Sequence, residues 1–245
     1  MKLLDLFSGI GGFSLGLERA GFETVAFCEI EDYPRKVLKK HWPDVPIARD
    51  VKTLTYSEGV LYDDGQEIYR GSIDAVCGGF PCQDLSTAGR QGGISAERSG
   101  LFYEMCRIIG ECRPEYAIFE NVTNLLNGGG GDWFTEVLCE ISSLGYDAEW
   151  HCIPASGLGA PHERDRLWIV LSDPDQAQWE RGGLSSGIRK ELVNFSCDHW
   201  GQDFPAFQRV ANGIPSQMDR LRGLGNAVVP QIPEIIGRAI MGARQ

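Results

Sequence analysis

Residues 3–13 read LLDLFSGIGGF, and this stretch decides the fold. An apolar run typical of a buried strand ends at Phe7, a glycine-rich turn follows, and Phe13, Leu17 and Ala20 then recur at helical spacing. Glycines at a strand-to-helix turn let the backbone approach a bound ligand closely. The stretch therefore predicts the first strand and helix of an α/β domain, with a ligand site at the turn between them.

Apolar runs and helical patterns continue to alternate as far as residue 171, which predicts a parallel sheet with crossover helices. The predicted strands are residues 3–7, 24–28, 73–77, 116–119, 149–153 and 167–171. The clearest predicted helices are residues 101–112 and 133–144, and regularity returns at residues 232–241. Residues 172–208 resemble a polar, irregular loop, and the four glycines at 128–131 a flexible one.

Length and composition indicate one large α/β domain, alone or with a small appendage. The chain has 245 residues, of which 42% are hydrophobic and 23% charged, which excludes a disordered or collagen-like protein. Neither a secretion signal nor an apolar run of the ~20 residues that a membrane span needs is visible. Eight cysteines without a C-x-x-C pair predict neither a zinc site nor a disulfide scaffold. We expect a cytoplasmic protein without membrane contact.

The net charge of -11 taken alone argues against a nucleic-acid partner, because phosphate binding usually requires a basic surface. The charge is unevenly distributed, however: residues 1–171 contain 15 basic and 26 acidic residues, whereas residues 172–245 contain 8 of each. The neutral C-terminal third is thus the better candidate for contacting phosphates.

The glycine turn and the second predicted strand together indicate a nucleoside-containing ligand. Glu29 ends that strand and lies where an acidic residue binds ribose hydroxyls in dinucleotide-binding domains. The turn reads G-x-G-G rather than G-x-G-x-x-G, which weakens a nicotinamide interpretation. A turn that serves only packing is the alternative on this motif alone.

A thiol and a carboxyl group follow two other predicted strands, at the edge where the ligand crevice of a parallel sheet lies. Cys82 stands in the segment GGFPCQDLS, residues 78–86, and Glu120 follows the strand at 116–119. A carboxylic acid with a raised pKa can donate to a ring nitrogen of a substrate while a thiolate attacks a neighbouring carbon. The alternatives are a buried filler for Cys82 and a helix-start carboxylate for Glu120.

Five segments in this order resemble the DNA (cytosine-5)-methyltransferases. Order and spacing agree along residues 1–171 and again from about residue 209 to the end. The segments are DLFSGIGGF at 5–13, GFPCQ at 79–83, ENV at 120–122, RDR at 164–166 and GNAVVP at 225–230.

The resemblance implies a Rossmann-like class I methyltransferase domain that uses S-adenosyl-L-methionine, with a target-recognition region. In that family a thiolate adds to C6 of a flipped-out cytosine, an acid contacts N3 and the exocyclic amine, and arginines hold the base and its loop. These roles would fall to Cys82, Glu120, Arg166 and Arg164 respectively. The cofactor-binding residues would be Phe7, Gly9, Ile10, Gly12, Glu29, Ile30, Asp50, Val51, Pro81, Leu101 and Asn226.

The resemblance also suggests how the chain is divided. We expect a catalytic domain at 1–171, a reduced recognition region at 172–219 and a segment at 220–245 that returns to the catalytic domain. Because the recognition region is short, a partner chain or self-association through it is a further hypothesis. Residues 83–100, rich in Gly and Ser, have the composition of a mobile loop that could close over the base. His162 is the one histidine near the paired arginines, so no metal is expected there.

The leading hypothesis is therefore a DNA (cytosine-5)-methyltransferase of a bacterial or phage restriction-modification type, acting on double-stranded DNA. Two alternatives stay open. One keeps the chemistry on transfer RNA, which a branch of the family methylates. The other is a regulatory DNA-binding protein with reduced activity, although Cys82, Glu120 and Asn226 are all present.

Overall fold

A seven-stranded sheet forms the centre of the protein. The computed structural model describes residues 1–80, 100–160, 163–177, 183–194 and 226–243. The strands of this sheet are β1 (Lys2–Leu6), β2 (Glu23–Cys28), β3 (Ile47–Ala48), β7 (Ala75–Gly79), β8 (Tyr116–Val122), β9 (Asp147–Pro154) and β10 (Asp165–Ser172). Their order is β3-β2-β1-β7-β8-β10-β9, in which β3, β2, β1, β7 and β8 are mutually parallel. The predicted α/β class is confirmed.

Helices cover both faces of the sheet. They are α1 (Gly12–Arg19), α2 (Asp32–His41), α3 (Gly100–Cys112), α4 (Asp132–Ser143), α5 (Gly183–Asn194) and α6 (Gln231–Ala243). On one face, buried residues of α3 and α4 such as Met105 and Val137 pack with Phe119 of β8. On the other, Leu17 of α1 and Ile236 of α6 belong to a second buried cluster. Both clusters follow from apolar residues recurring at helical spacing.

The predicted parallel sheet is confirmed for most of its strands, and one strand runs against the others. Strand β10 is antiparallel to both β8 and β9. Only residues 155–164 connect β9 to β10, including a short 3-10 helix at Ala155–Leu158. Two parallel neighbouring strands require a crossover of a dozen or more residues. Because the connection between β9 and β10 is shorter, the two strands are antiparallel.

The expected irregularity of residues 172–208 is also only partly correct. Helix α5 lies inside that stretch, and its Leu184 and Ile188 are buried with Trp168 of β10. A Cβ built on Gly187 would lie 3.2 Å from Cβ of Ala239, so α5 packs closely on α6. Helix α5, which lies in the region predicted for target recognition, therefore belongs to the second buried cluster beside the central sheet.

Further differences concern short elements. The glycines at 128–131 form a tight turn in which Gly129 and Gly130 have left-handed φ of 59° and 73°, as a glycine-rich loop allows. Helix α2 and strand β3 were not predicted. A separate antiparallel sheet, β4 (Leu54–Ser57), β5 (Val60–Asp63) and β6 (Gln66–Arg70), was also missed because its strands are short and partly polar. The loop predicted at 83–100 lies outside the described residues up to Ser99, and Gly100 begins α3.

None of the helices in the described ranges is long and apolar enough to cross a membrane.

Candidate active site

The turn after β1, residues 7–12, is the first part of the candidate site, and we call it the cofactor turn after the role that the resemblance implies. Its backbone adopts left-handed conformations, with φ of 54° at Phe7, 54° at Gly9 and 89° at Gly11. Among the described residues no atom lies within 4 Å of a Cβ built on Gly9, whereas one built on Gly11 would lie 2.7 Å from the Trp42 ring. Gly11 is thus required by close packing, and Gly9 leaves open space in which a ligand can approach the backbone.

Glu29, which directly follows β2, accepts a hydrogen bond from this turn. Its Oε2 accepts a hydrogen bond from the Gly9 amide at 2.7 Å, and its Oε1 accepts one from the Glu31 amide at 2.7 Å. Burial raises the pKa of the Glu29 carboxyl, and the backbone donors oppose that shift. The neighbouring Ile30 is 59% exposed, so an apolar side chain lies open beside a buried carboxylate.

The second part of the site is an ion pair at the same edge of the sheet. Nε of Arg166 lies 2.8 Å from Oε1 of Glu120, whose side chain is only 13% exposed. Burial raises the pKa of Glu120, while the charges of Arg166 and Arg164 oppose the rise. Burial, and then the positive charge of Arg166, lower the pKa of Arg164, so the three side chains form one electrostatic cluster.

The sheet register brings these groups together. Glu120 lies within β8 rather than after it, beside Gly79 of the neighbouring parallel strand β7. Because β10 runs antiparallel to β8, its beginning lies at the end of β8, where Arg166 pairs with Val122. The carboxyl ends of β1, β2, β7 and β8 and the start of β10 thus meet at one edge, where ligands bind in α/β folds.

The other predicted site residues have varied surroundings. Val51 is buried and its carbonyl accepts a hydrogen bond from Arg107 Nη2 at 2.9 Å, and Asp50 accepts one from the Lys52 amide at 3.0 Å. Leu101 packs partly buried against the core at the start of α3. Ile10 is half-buried and Asn226 is exposed. Pro81 and Cys82 lie outside the described residues.

The C-terminal segment at residues 226–230 packs against α1, next to the end of the cofactor turn. A Cβ on Gly12 would lie 2.6 Å from the Val228 carbonyl oxygen, and one on Gly16 only 2.1 Å from that of Pro230. Gly12 is therefore needed for backbone packing. The contact also brings the segment containing Asn226 to the cofactor turn, although the two are more than 200 residues apart in sequence.

Sequence reasoning missed three contributors to the site. A Cβ on Gly79 would lie 2.8 Å from Oε2 of Glu120, so this glycine makes room for the carboxylate. Arg35 Nη1 donates to the carbonyl oxygens of Glu29 and Ala48, both at 3.3 Å. Asp5 accepts a hydrogen bond from Ser14 beneath the turn. The glycine pair at 78–79 was a sequence signal for Gly79. The roles of Arg35 and Asp5 depend on contacts across the fold, which no local pattern reveals.

The chain is similar in sequence to known DNA methyltransferases. Residues 1–196 match the family described as C-5 cytosine-specific DNA methylase. The chain is 35% identical over 176 residues to the type II methyltransferase M2.BsuMI of Bacillus subtilis, covering 70% of this chain and 42% of that protein. It is 33% identical over 248 residues to M1.HphI of Haemophilus parahaemolyticus, covering 91% of this chain and 66% of that protein.

A solved structure gives the same fold. It is described as a DNA modification methyltransferase encoded within an E. coli prophage, and it superposes with a TM-score of 0.58 at 24% identity over 75% of this chain and 50% of its own. The present chain thus spans between about two fifths and two thirds of the length of the curated relatives given above.

Proposed function

The chain belongs to the C-5 cytosine-specific DNA methylase family, and we propose that it transfers a methyl group from S-adenosyl-L-methionine to C5 of cytosine in a short DNA sequence. The observation that carries the proposal is the half-buried Glu120–Arg166 ion pair, with Nε and Oε1 2.8 Å apart, at the same sheet edge as the cofactor turn. Glu120, the proposed acid, lies beside β7, the strand that precedes Cys82 in the sequence. Arg166, the proposed contact to the cytosine ring, is paired with Glu120.

The cofactor turn fits S-adenosyl-L-methionine. Open space at Gly9 admits a close ligand, buried Glu29 is placed for ribose hydroxyls, and exposed Ile30 offers an apolar contact for adenine. We assign the remaining cofactor contacts to Phe7, Ile10, Gly12, Asp50, Val51, Pro81, Leu101 and Asn226. When bound, the cofactor supplies a methyl group made electrophilic by its sulfonium sulfur.

Cys82 provides the nucleophile. An unperturbed thiol has a pKa of about 8.5, so the fraction present as thiolate at neutral pH is small and must be favoured locally. Addition of the Cys82 thiolate to C6 of cytosine makes C5 nucleophilic. C5 then takes the methyl group as the S–CH3 bond breaks and S-adenosyl-L-homocysteine leaves. Loss of the C5 proton to water and breakage of the Sγ–C6 bond restore the aromatic ring and the free thiolate.

Glu120 and the arginines stabilise this addition. Burial favours the protonated form of Glu120, which can donate to N3 of the base while negative charge develops on the ring. Arg166 holds O2 of the base, and Arg164 supports the active-site loop or a phosphate. The target atom is inaccessible in stacked DNA, so the base is flipped out, at a cost of a few kcal/mol.

We assign double-stranded DNA as the substrate and the cytoplasm as the compartment, in a restriction-modification role. Because α5 packs into the catalytic core, residues 195–225 are the stretch left to read a sequence. Because this region is short, the proposal includes a partner chain or a second copy of the protein that helps to recognise the target sequence.

The decisive test is bisulfite sequencing of DNA from cells that express the protein, which reports activity and recognised sequence together. Cys82→Ser should abolish methylation while retaining cofactor binding. Cys139→Ser, at an exposed cysteine on α4, is the matched control and should methylate normally. Methylated cytosine in the Cys82→Ser sample would overturn the mechanism.

The alternatives are less well supported. The curated relatives given above are named type II methyltransferases, which favours DNA over transfer RNA. Labelled methyl transfer to duplex DNA but not to transfer RNA would decide between the substrates. A regulatory protein with reduced activity would bind DNA in the same assay and transfer no methyl group.

A further inference from the structure

A buried carboxyl group lies directly beneath the cofactor turn, outside the residues that contact the reactants. Asp5 of β1 is fully buried and lies beside Cys77 of β7 in the sheet. Its Oδ2 accepts a hydrogen bond from the hydroxyl of Ser14 at 2.7 Å. Because Ser14 is in the first turn of α1, this bond joins the strand before the cofactor turn to the helix after it.

The backbone of the same residue anchors the turn from within. The Ser8 hydroxyl lies 2.6 Å from the Asp5 carbonyl oxygen and 3.3 Å from that of Cys28. The Ser8 amide also donates to the Cys28 carbonyl oxygen, at 3.1 Å. The turn is thus bonded to the ends of both β1 and β2, and Asp5 takes part through its carbonyl and its carboxyl group.

Such anchoring is needed because the turn is strained. Phe7 has a φ of 54°, a left-handed conformation that costs a non-glycine residue about 1–2 kcal/mol. Conformations of this kind persist only where the surrounding structure holds them. The amide of Gly9, two residues further on, must point at Glu29 for the 2.7 Å hydrogen bond described above. A loosened turn would therefore misplace the group assigned to the ribose.

We propose that Asp5 is a positioning residue for the cofactor turn, acting through Ser14 and Ser8. It touches neither cofactor nor base, and it fixes the backbone that does. This inference rests on the proposed use of S-adenosyl-L-methionine at the turn. Its effect falls on cofactor affinity and leaves the chemical step unchanged, because Cys82 follows β7 in the sequence, Glu120 lies in β8 and Arg166 lies in β10.

The test compares three variants of the full-length protein. Ser14→Ala removes the donor to Asp5 and should raise the KM for S-adenosyl-L-methionine about three- to tenfold, as expected for one lost hydrogen bond. Its kcat and its KM for DNA should stay unchanged. Asp5→Asn retains an acceptor oxygen for Ser14 and should stay within about twofold of wild type. Thr24→Val, at a buried hydroxyl of β2 that has no hydrogen-bond partner within the described ranges, is the matched control and should leave the KM unchanged.

The outcomes separate the two proposals. Absence of cofactor binding by the wild-type protein, measured calorimetrically, would overturn the proposed function. Normal binding by the wild type together with an unchanged KM in Ser14→Ala would overturn the role of Asp5. The same conclusion would follow if Thr24→Val raised the KM as much as Ser14→Ala, or if Asp5→Asn were as impaired as Ser14→Ala. A fall in kcat at constant KM would also overturn it.

Discussion

Gly79 and Glu120 are partners on neighbouring parallel strands, and a Cβ built on Gly79 would lie 2.8 Å from Oε2 of Glu120. Real Cβ atoms do not approach another heavy atom so closely. The carboxylate is the mobile end of its side chain, so an added methyl group would displace it at little cost to folding. The glycine thus determines where the proposed catalytic acid lies.

We expect Gly79→Ala to lower kcat by about ten- to a hundredfold, the range typical of a misplaced general acid. The melting temperature should change little, because the contact is with a side-chain end. Steady-state kinetics and thermal unfolding measure the two effects. Gly242→Ala is the control, since no atom of the part of the chain that the structure describes lies within 4 Å of a Cβ at that position, and it should affect neither. Wild-type kcat in Gly79→Ala would contradict the role assigned to Glu120.

Asp5 should make stability depend on pH. Burial raises its pKa to about 7, although hydrogen bonds from Ser14 and Cys77 oppose the shift. An unfolded Asp has a pKa of about 3.9, so the folded protein binds the proton more tightly between these two values. The resulting stabilisation is fully present below pH 4 and is lost as pH rises towards 7 and beyond.

Asp5→Asn removes this titration. Relative to wild type, the variant should gain roughly 2–4 kcal/mol in free energy of unfolding between pH 5 and pH 8.5. Urea denaturation of both proteins at each pH measures the difference. Glu29 and Glu120 also have raised pKa values but remain in both proteins, so their contributions cancel. A stability difference that is constant with pH would show that Asp5 does not titrate in this range.

Arg166 should set the pH range of activity. Its charge opposes the burial that raises the pKa of Glu120, so Arg166→Gln should raise that pKa further. If protonated Glu120 is the active form, the fall in kcat/KM at high pH should shift to still higher pH. The maximal rate should drop because a contact to the base is lost. Arg70→Gln, at an exposed arginine of β6 paired with Glu67, should leave the profile unchanged. An unshifted alkaline limb in Arg166→Gln would argue against Glu120 as the acid.

Gly16 should be essential for docking of the C-terminal segment. Its Cβ would lie 2.1 Å from the Pro230 carbonyl oxygen, a backbone atom that cannot rotate away. Gly16→Ala should therefore lower the free energy of unfolding by about 1–3 kcal/mol, as overpacking does. Leu15→Ala, at an exposed position of the same helix, should cost less than about 0.5 kcal/mol. Equal losses in the two variants would show that the close approach carries no energetic weight.

Much of the cofactor half of the site could be predicted from sequence. The strand, turn and helix at residues 2–19 and the carboxylate of Glu29 follow local spacing rules, and the structure joins them through the Gly9–Glu29 hydrogen bond. Helices α3 and α4 lie within one residue of the predicted positions at both ends. Their apolar residues recur every three or four positions over more than ten residues, a signal that neighbouring segments seldom override.

The family motifs predicted, by resemblance, that Glu120 and Arg166 belong to one site. They did not predict the contact between the two side chains. Glu120 was expected after its strand and lies within it, since hydrogen bonding to β10 extends β8 to Val122. The 2.8 Å ion pair exists because β10 is antiparallel to β8, which no local pattern reveals.

The α/β class and the strand, turn and helix at residues 2–19 follow from the sequence, because each depends on residues close together in the chain, and the cofactor and reactive-group assignments are predictions from resemblance. The tertiary fold adds the antiparallel direction of β10, the burial of α5 and the space that Gly79 leaves for Glu120. It also placed Asp5 and Ser14 beneath the turn and Gly16 against Pro230. Those features are contacts between segments whose approach is set by packing of the whole core, where side-chain volume and burial outweigh local preference.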